Sequence, residues 1–142
     1  MTTTYFDTSV LVKVFLVDEV GSDRAQAIWR SADERVAVNL VEVEARAALA
    51  RARLDDRLTE TRHRLAVLGI KVLMDGMTRV TPTHELVGLA ASVADEESLR
   101  AYDAVHLATA LASGAELFAC ADARLCGAAA NQGLAVANPL AT

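Results

Sequence analysis

The feature that most constrains this chain is a regular alternation of short apolar runs with helical segments. Thr2–Phe6 (TTTYF), Val36–Val38, Thr78–Thr81, Leu117–Ala121 (LFACA) and Leu134–Val136 read as strands. Between them, helices are expected at Ser9–Val17, Ser22–Ala32, Leu40–Leu54, Glu60–Met74, Thr83–Ala94, Leu99–Ala112 and Ala123–Asn131. Pro82 punctuates one helix start and Gly114 one helix end. Strands alternating with helices predict α/β architecture: a three-layer α/β/α sandwich around a mainly parallel central sheet. The 142 residues contain no Pro/Gly-rich linker and no repeat, so residues 1–142 are expected to form one domain.

Ligands of such sheets bind outside the carboxyl ends of the strands. Two acids have that address: Asp7 follows the first strand in YFDTS, and Asp122 follows LFACA. Each is equally suited to cap the next helix, because a short acceptor side chain satisfies orphan N–H groups there. Two further acids lie on helices. Glu44 borders the stripe Val41, Ala45, Ala48, Ala52, whereas Glu42 points toward Arg46 and Arg53 and reads as a surface acid. Asp103 falls between Leu99 and Leu107 on the apolar face of LRAYDAVHLATAL, where an unpaired charge would cost several kcal/mol. It has either an arginine partner or a place in a cleft.

If all four acids converge, mutual repulsion raises their pKa values, and a divalent cation resolves the conflict. Oxygen-only ligands without imidazole or thiolate suit Mg²⁺ or Mn²⁺. Such ions activate water and clamp the oxygens of an in-line phosphoryl displacement. No zinc site is expected, because His63, His84 and His106 fall at no zinc spacing and Cys120 and Cys126 form no metal-type pair.

The runs YFDTSVLVK, VEARAALAR, YDAVHLATAL and ADARL, in this order, resemble the VapC-type toxins of the PIN-domain ribonuclease family. The resemblance covers essentially the whole chain. It implies an acidic quartet at Asp7, Glu44, Asp103 and Asp122, acting as catalytic residues and metal ligands, with Ser9 supporting the first acid. It also implies Mg²⁺- or Mn²⁺-dependent cleavage of RNA, a homodimer, and a cognate antitoxin protein that inserts a segment near the active site. The family often has Thr or Ser two residues before the last acid; this chain has Cys120, which makes Asp122 a candidate for binding through water.

His106 reads as a helix-packing histidine rather than a general base, since the metal can already generate hydroxide. The segment Arg46–Arg64 holds six arginines against Asp55, Asp56 and Glu60, and Arg46 and Arg53 are its candidate phosphate contacts. A net charge of −5 argues against generic nucleic-acid affinity, but two bound divalent ions would reduce it to −1. Hydrophobic residues make up 53% of the chain, a surplus that suggests a protein partner. No apolar run approaches the ~20 residues of a membrane span, and the N-terminus lacks a signal-peptide pattern; a cytoplasmic protein is expected. Two other acid-bearing α/β designs fail on the residues. A phosphoryl-accepting receiver would want a late lysine, and a haloacid-dehalogenase-like phosphatase would want an acid where Ser9 stands. The alternatives that remain are a PIN nuclease of RNA processing and a catalytically silent PIN-like binding module.

Overall fold

A computed structural model describes residues 1–141. Five parallel strands form one sheet in the order β3-β2-β1-β4-β5: β1 (Thr3–Phe6), β2 (Glu34–Val38), β3 (Thr78–Val80), β4 (Leu117–Ala119) and β5 (Ala135–Ala137). Tyr5 lies opposite Val36 on one side and Phe118 on the other. Both faces of the central strands are covered toward their carboxyl ends, so Tyr5, Phe6, Val36, Ala37, Val38, Phe118 and Ala119 are apolar and buried, while Thr3, Glu34 and Arg35 start the strands nearer solvent.

Phe6, Ala37 and Ala119 face a core built with α1 (Thr8–Phe15), α2 (Ser22–Ser31), α3 (Val41–Leu54) and α4 (Glu60–Asp75). Tyr5, Val36 and Phe118 face the opposite core, built with α5 (His84–Glu97), α6 (Ala101–Ala112) and α7 (Ala123–Asn131). This is the three-layer sandwich the alternation predicts. Gly69 of α4 lets α1 approach closely: a Cβ there would lie 2.3 Å from the ring of Phe15.

Several boundaries differ from the sequence pattern for local reasons. The sixth helix starts at Ala101, not Leu99, because Ser98 adopts a left-handed conformation that ends α5. The first helix stops at Phe15, and β4 stops at Ala119, although the Cys120 N–H still donates to Ala137 O at 3.1 Å. The stripe on α3 runs through Val41, Ala45, Leu49 and Ala52, with Ala48 only half-buried.

The connections make β1 and β4 the switch point of the sheet. The chain runs outward from β1 through β2 to β3, then returns to β4 beside β1 and ends in β5. Crevices at such points, at the carboxyl end of the strands, are where α/β sheets bind ligands. Asp7 and Asp122 follow these two strands.

Candidate active site

Asp7 ends β1 and is buried, with 6% of its surface exposed. It caps α1, and its Oδ2 accepts from the Ser9 N–H at 3.2 Å and from the Ser9 hydroxyl. Ser9 Oγ in turn accepts from the Ala121 N–H at 3.0 Å, so one hydroxyl ties the end of β1 to the segment after β4. Cys120 completes this join. Its thiol lies 3.8 Å from Asp7 Oδ2 and accepts from the Asp122 N–H at 3.3 Å. Burial, then the Asp7 charge, push that thiol far above its usual pKa, so it is a neutral weak donor rather than a nucleophile.

On the far side of Asp7 stands His106, which is 2% exposed. Its Nε2 is 2.8 Å from Glu44 Oε1 and 3.4 Å from Asp7 Oδ1, and its Nδ1 is 2.7 Å from the Tyr5 hydroxyl. The Val38 N–H donates to that same hydroxyl at 3.1 Å. In neutral His106 the Tyr5 O–H donates to Nδ1, and Nε2–H donates to Glu44. In protonated His106 both ring nitrogens donate. Glu44 Oε1 also accepts from the Thr8 hydroxyl at 3.1 Å. The helix layers on the two faces of the sheet are thus joined at its carboxyl edge: Glu44 comes from α3 and His106 from α6.

The charges follow from these contacts. Burial raises the Glu44 pKa, but hydrogen bonding to His106, the imidazolium charge and the Thr8 hydroxyl outweigh it, and the net shift is downward. Burial lowers the His106 pKa, but the Glu44 hydrogen bond and the charges of Asp7, Glu44 and Asp103 outweigh it, and the net shift is upward. Asp103 has no such partner. Partial burial raises its pKa, the charges of Asp7 and Asp122 raise it further, and His106 and Arg100 offset only part of this.

Asp122 is exposed and caps α7, its Oδ1 accepting from the Arg124 and Leu125 N–H groups at 2.9 and 3.0 Å. Capping and membership of the acidic group therefore coexist in one side chain. The opening pattern of α6 needs a correction: the helix is buried almost all round from Ala104 to Ala110, and Asp103 stands at its half-exposed entrance. No salt bridge pairs Asp103 with an arginine among the described residues.

Three other expectations change. His106 is buried as a packing residue would be, but it also binds two of the four acids directly; a His three residues after Asp103 was the signal. Glu42 pairs with Arg79 at 2.8 Å, not with Arg46 or Arg53, because β3 brings Arg79 beside the start of α3. Arg53 lies nine residues beyond Glu44 on α3, about 14 Å along the axis, and pairs with Glu60 at 3.5 Å. Four of the six arginines in the segment are so engaged: Arg51 with Asp55, Arg53 with Glu60, Arg57 with Glu19 and Arg62 with Asp18. Arg46 remains exposed near the acidic end of the helix.

The donor set fits a hard divalent cation: carboxylate oxygens, with one acid, Asp103, held against two other negative charges. Among the described residues no three His, Cys, Asp or Glu groups close around a single point.

Fold and cleft together define an α/β protein with carboxylates gathered at the switch point of its sheet. The sequence matches the PIN domain over residues 4–131. It is 38% identical over 110 residues to ribonucleases VapC45 and VapC49, each from a strain of Mycobacterium tuberculosis, covering 78% of this chain and 76% of each relative. Among solved structures, M. tuberculosis VapC20, described as a sarcin-ricin loop cleaving toxin, superposes with a TM-score of 0.70 at 18% identity, covering 92% of this chain and 95% of that one. A toxin–antitoxin complex from Klebsiella pneumoniae superposes with a TM-score of 0.63 at 18% identity, covering 96% and 97%. The chain belongs to the PIN-domain family and is of the VapC type.

Proposed function

We propose that the chain is a Mg²⁺- or Mn²⁺-dependent endoribonuclease, the toxin of a type II toxin–antitoxin pair, acting in the cytoplasm. The observation that carries this reading is Asp103: a carboxylate whose neighbours Asp7 and Asp122 oppose its charge, whose repulsion His106 and Arg100 offset only in part, and which no ion pair neutralises among the described residues. Bound there, a divalent ion supplies an activated water and charge neutralisation for hydrolysis of a phosphodiester. The 38% identity to two VapC ribonucleases supports RNA as the substrate.

In this reading Asp7, Asp103 and Asp122 are the groups that would hold the ion. Ser9 fixes the rotamer of Asp7 by donating to one oxygen, leaving Oδ1 turned toward His106 and the cleft. Glu44, the fourth candidate ligand, is held in place through Oε1 by Thr8 and His106, which leaves its other oxygen for the ion. Purified protein is expected to cut RNA with Mg²⁺ or Mn²⁺, to stop in EDTA, and to leave 5′-phosphate and 3′-hydroxyl ends. Cleavage that persists in chelator and leaves 2′,3′-cyclic ends would contradict the metal mechanism.

The toxin role adds an antitoxin and a second copy of the chain. Apolar surface supports a protein partner: Leu65, Leu68 and Val72 form an exposed stripe on α4. A groove lined by Phe15, Leu16, Leu58 and Leu65 opens at the end of α1 opposite Asp7. An antitoxin that reaches the acids would cross from there along the molecule. Co-expression with the protein encoded by an adjacent small reading frame should restore growth to cells arrested by this chain. Unchanged growth and intact RNA on expression of the chain alone would favour the housekeeping-nuclease or silent-module reading.

A further inference from the structure

Six residues of the chain are aromatic. Tyr5, Phe6 and Phe118 are fully buried, and Phe15 and Trp29 pack against the core edge. Tyr102 alone is exposed, at 60%. It stands in the first turn of α6, one residue before Asp103 and four before His106. Residues four apart share a helix face, and helical side chains lean toward the N-terminus. Helix geometry therefore places Tyr102 on the His106 side of α6, in the same turn as Asp103. Beyond that first turn the helix is largely buried from Ala104 to Ala110.

Two cations rim the same edge. Arg100 is the N-cap residue of α6, next to the acidic group. Arg124 lies in the first turn of α7, where its guanidinium donates to Ser98 O at 2.8 Å and fixes the connection between α5 and α6. A chain of net charge −5 cannot hold a polyanion by bulk attraction. Local stacking and a few placed cations would have to do it.

We propose that Tyr102 stacks on an unpaired nucleobase next to the scissile phosphate, with Arg100 contacting the adjoining backbone, so that this edge positions single-stranded RNA over the acids. The inference rests on the ribonuclease reading and names the substrate form: unpaired RNA, a loop or single strand, since a base within a duplex offers no free face.

The test compares wild type with Tyr102→Ala, Tyr102→Phe and Tyr102→Trp on an unstructured RNA oligonucleotide and its duplex, with Mn²⁺, alongside thermal melts. Anisotropy of the labelled oligonucleotide in EDTA measures binding without cleavage. Tyr102→Ala should lower kcat/KM on the single strand about tenfold or more and weaken binding, with an unchanged melting temperature. Phenylalanine and tryptophan should preserve both, because a stacking face is all that is required. An alanine variant that cuts and binds as wild type does would overturn the proposal. So would a phenylalanine variant as poor as alanine, which would assign the role to the hydroxyl. If wild type cuts no RNA in any metal, the ribonuclease reading fails instead, and the binding comparison still decides whether Tyr102 grips RNA.

Discussion

The two sides of the acidic cleft meet the same electrostatic problem in opposite ways. On one side, Glu44 and Asp7 share His106, and Thr8, Ser9 and Tyr5 fill the remaining hydrogen bonds. On the other side, Asp103 and Asp122 make no ion pair among the described residues; Asp122 spends one oxygen on a helix cap, and Asp103 is left with a repulsion that His106 and Arg100 offset only in part. The satisfied side is built from the protein's own hydrogen bonds and holds its shape unaided. In the proposed reading the unsatisfied side is complementary to a divalent ion. Function is to be sought where the chain leaves charge unanswered.

The largest expected effect breaks the unsatisfied side. Asp103→Asn should reduce RNA cleavage by about two orders of magnitude or more, since a metal site contributes several kcal/mol of transition-state charge stabilisation. Single-turnover cleavage with Mn²⁺ measures this. Wild-type rates in the variant would remove Asp103 from the site.

Breaking the satisfied side should cost stability instead. His106→Ala leaves Glu44 and Asp7 facing each other and the Tyr5 hydroxyl with the Val38 N–H alone, a loss of about 2–4 kcal/mol in urea unfolding. The pH dependence has a definite sign. The His106 pKa is raised on folding, so its contribution is complete below the usual histidine value and is lost as pH rises through the raised value. Glu44, shifted down, contributes above the usual carboxylate value and loses its contribution as pH falls through the lowered one. The gap between wild type and His106→Ala should therefore shrink on the alkaline side. A gap that widens there would mean the imidazole is held neutral.

Two smaller substitutions sharpen the same contrast. Tyr5→Phe removes the hydroxyl from a fully buried position, leaving the Val38 N–H and His106 Nδ1 unpaired, at about 1–3 kcal/mol. Glu42→Gln breaks only the partly exposed pair with Arg79 and should cost less than about 1 kcal/mol. Equal losses from these two would show that the buried network adds nothing beyond an ordinary surface pair.

The strand–helix alternation and both strand-end acids could be seen in the sequence because a parallel sheet writes its strands as apolar runs and its switch point as strand–acid–helix. Separating Glu44 from Glu42 was also possible, since two positions on a helix differ by about 200° of azimuth. Tyr5 was invisible as a site residue: it lies in a strand that reads as plain core, and only the pairing of β1 with β2 brings Val38 to its hydroxyl. The role of His106 beyond packing is hidden in the sequence because one-dimensional periodicity shows the buried face of α6 but not that α3 delivers a carboxylate to it. The arginine segment misled for the complementary reason. Its net positive charge is a sum over neighbours in sequence, whereas Glu19 and Asp18, from before α2, cancel Arg57 and Arg62 in space.

The most direct test of the central claim, that the charge of Asp103 is an expense of the metal-free fold recovered only with a divalent ion, is a pair of thermal melts. Wild type and Asp103→Asn are compared at neutral pH in EDTA and in excess Mn²⁺. Because the Asp103 pKa is raised on folding, its charge is a penalty above that raised value and none below the usual carboxylate range, so the neutral variant should melt at or above wild type in EDTA. Mn²⁺ should then raise wild type more than the variant, as a ligand of the native state contributes RT ln(1 + [L]/Kd). A variant that melts well below wild type in EDTA, with neither protein responding to Mn²⁺, would show Asp103 to be half of a structural ion pair and contradict the account.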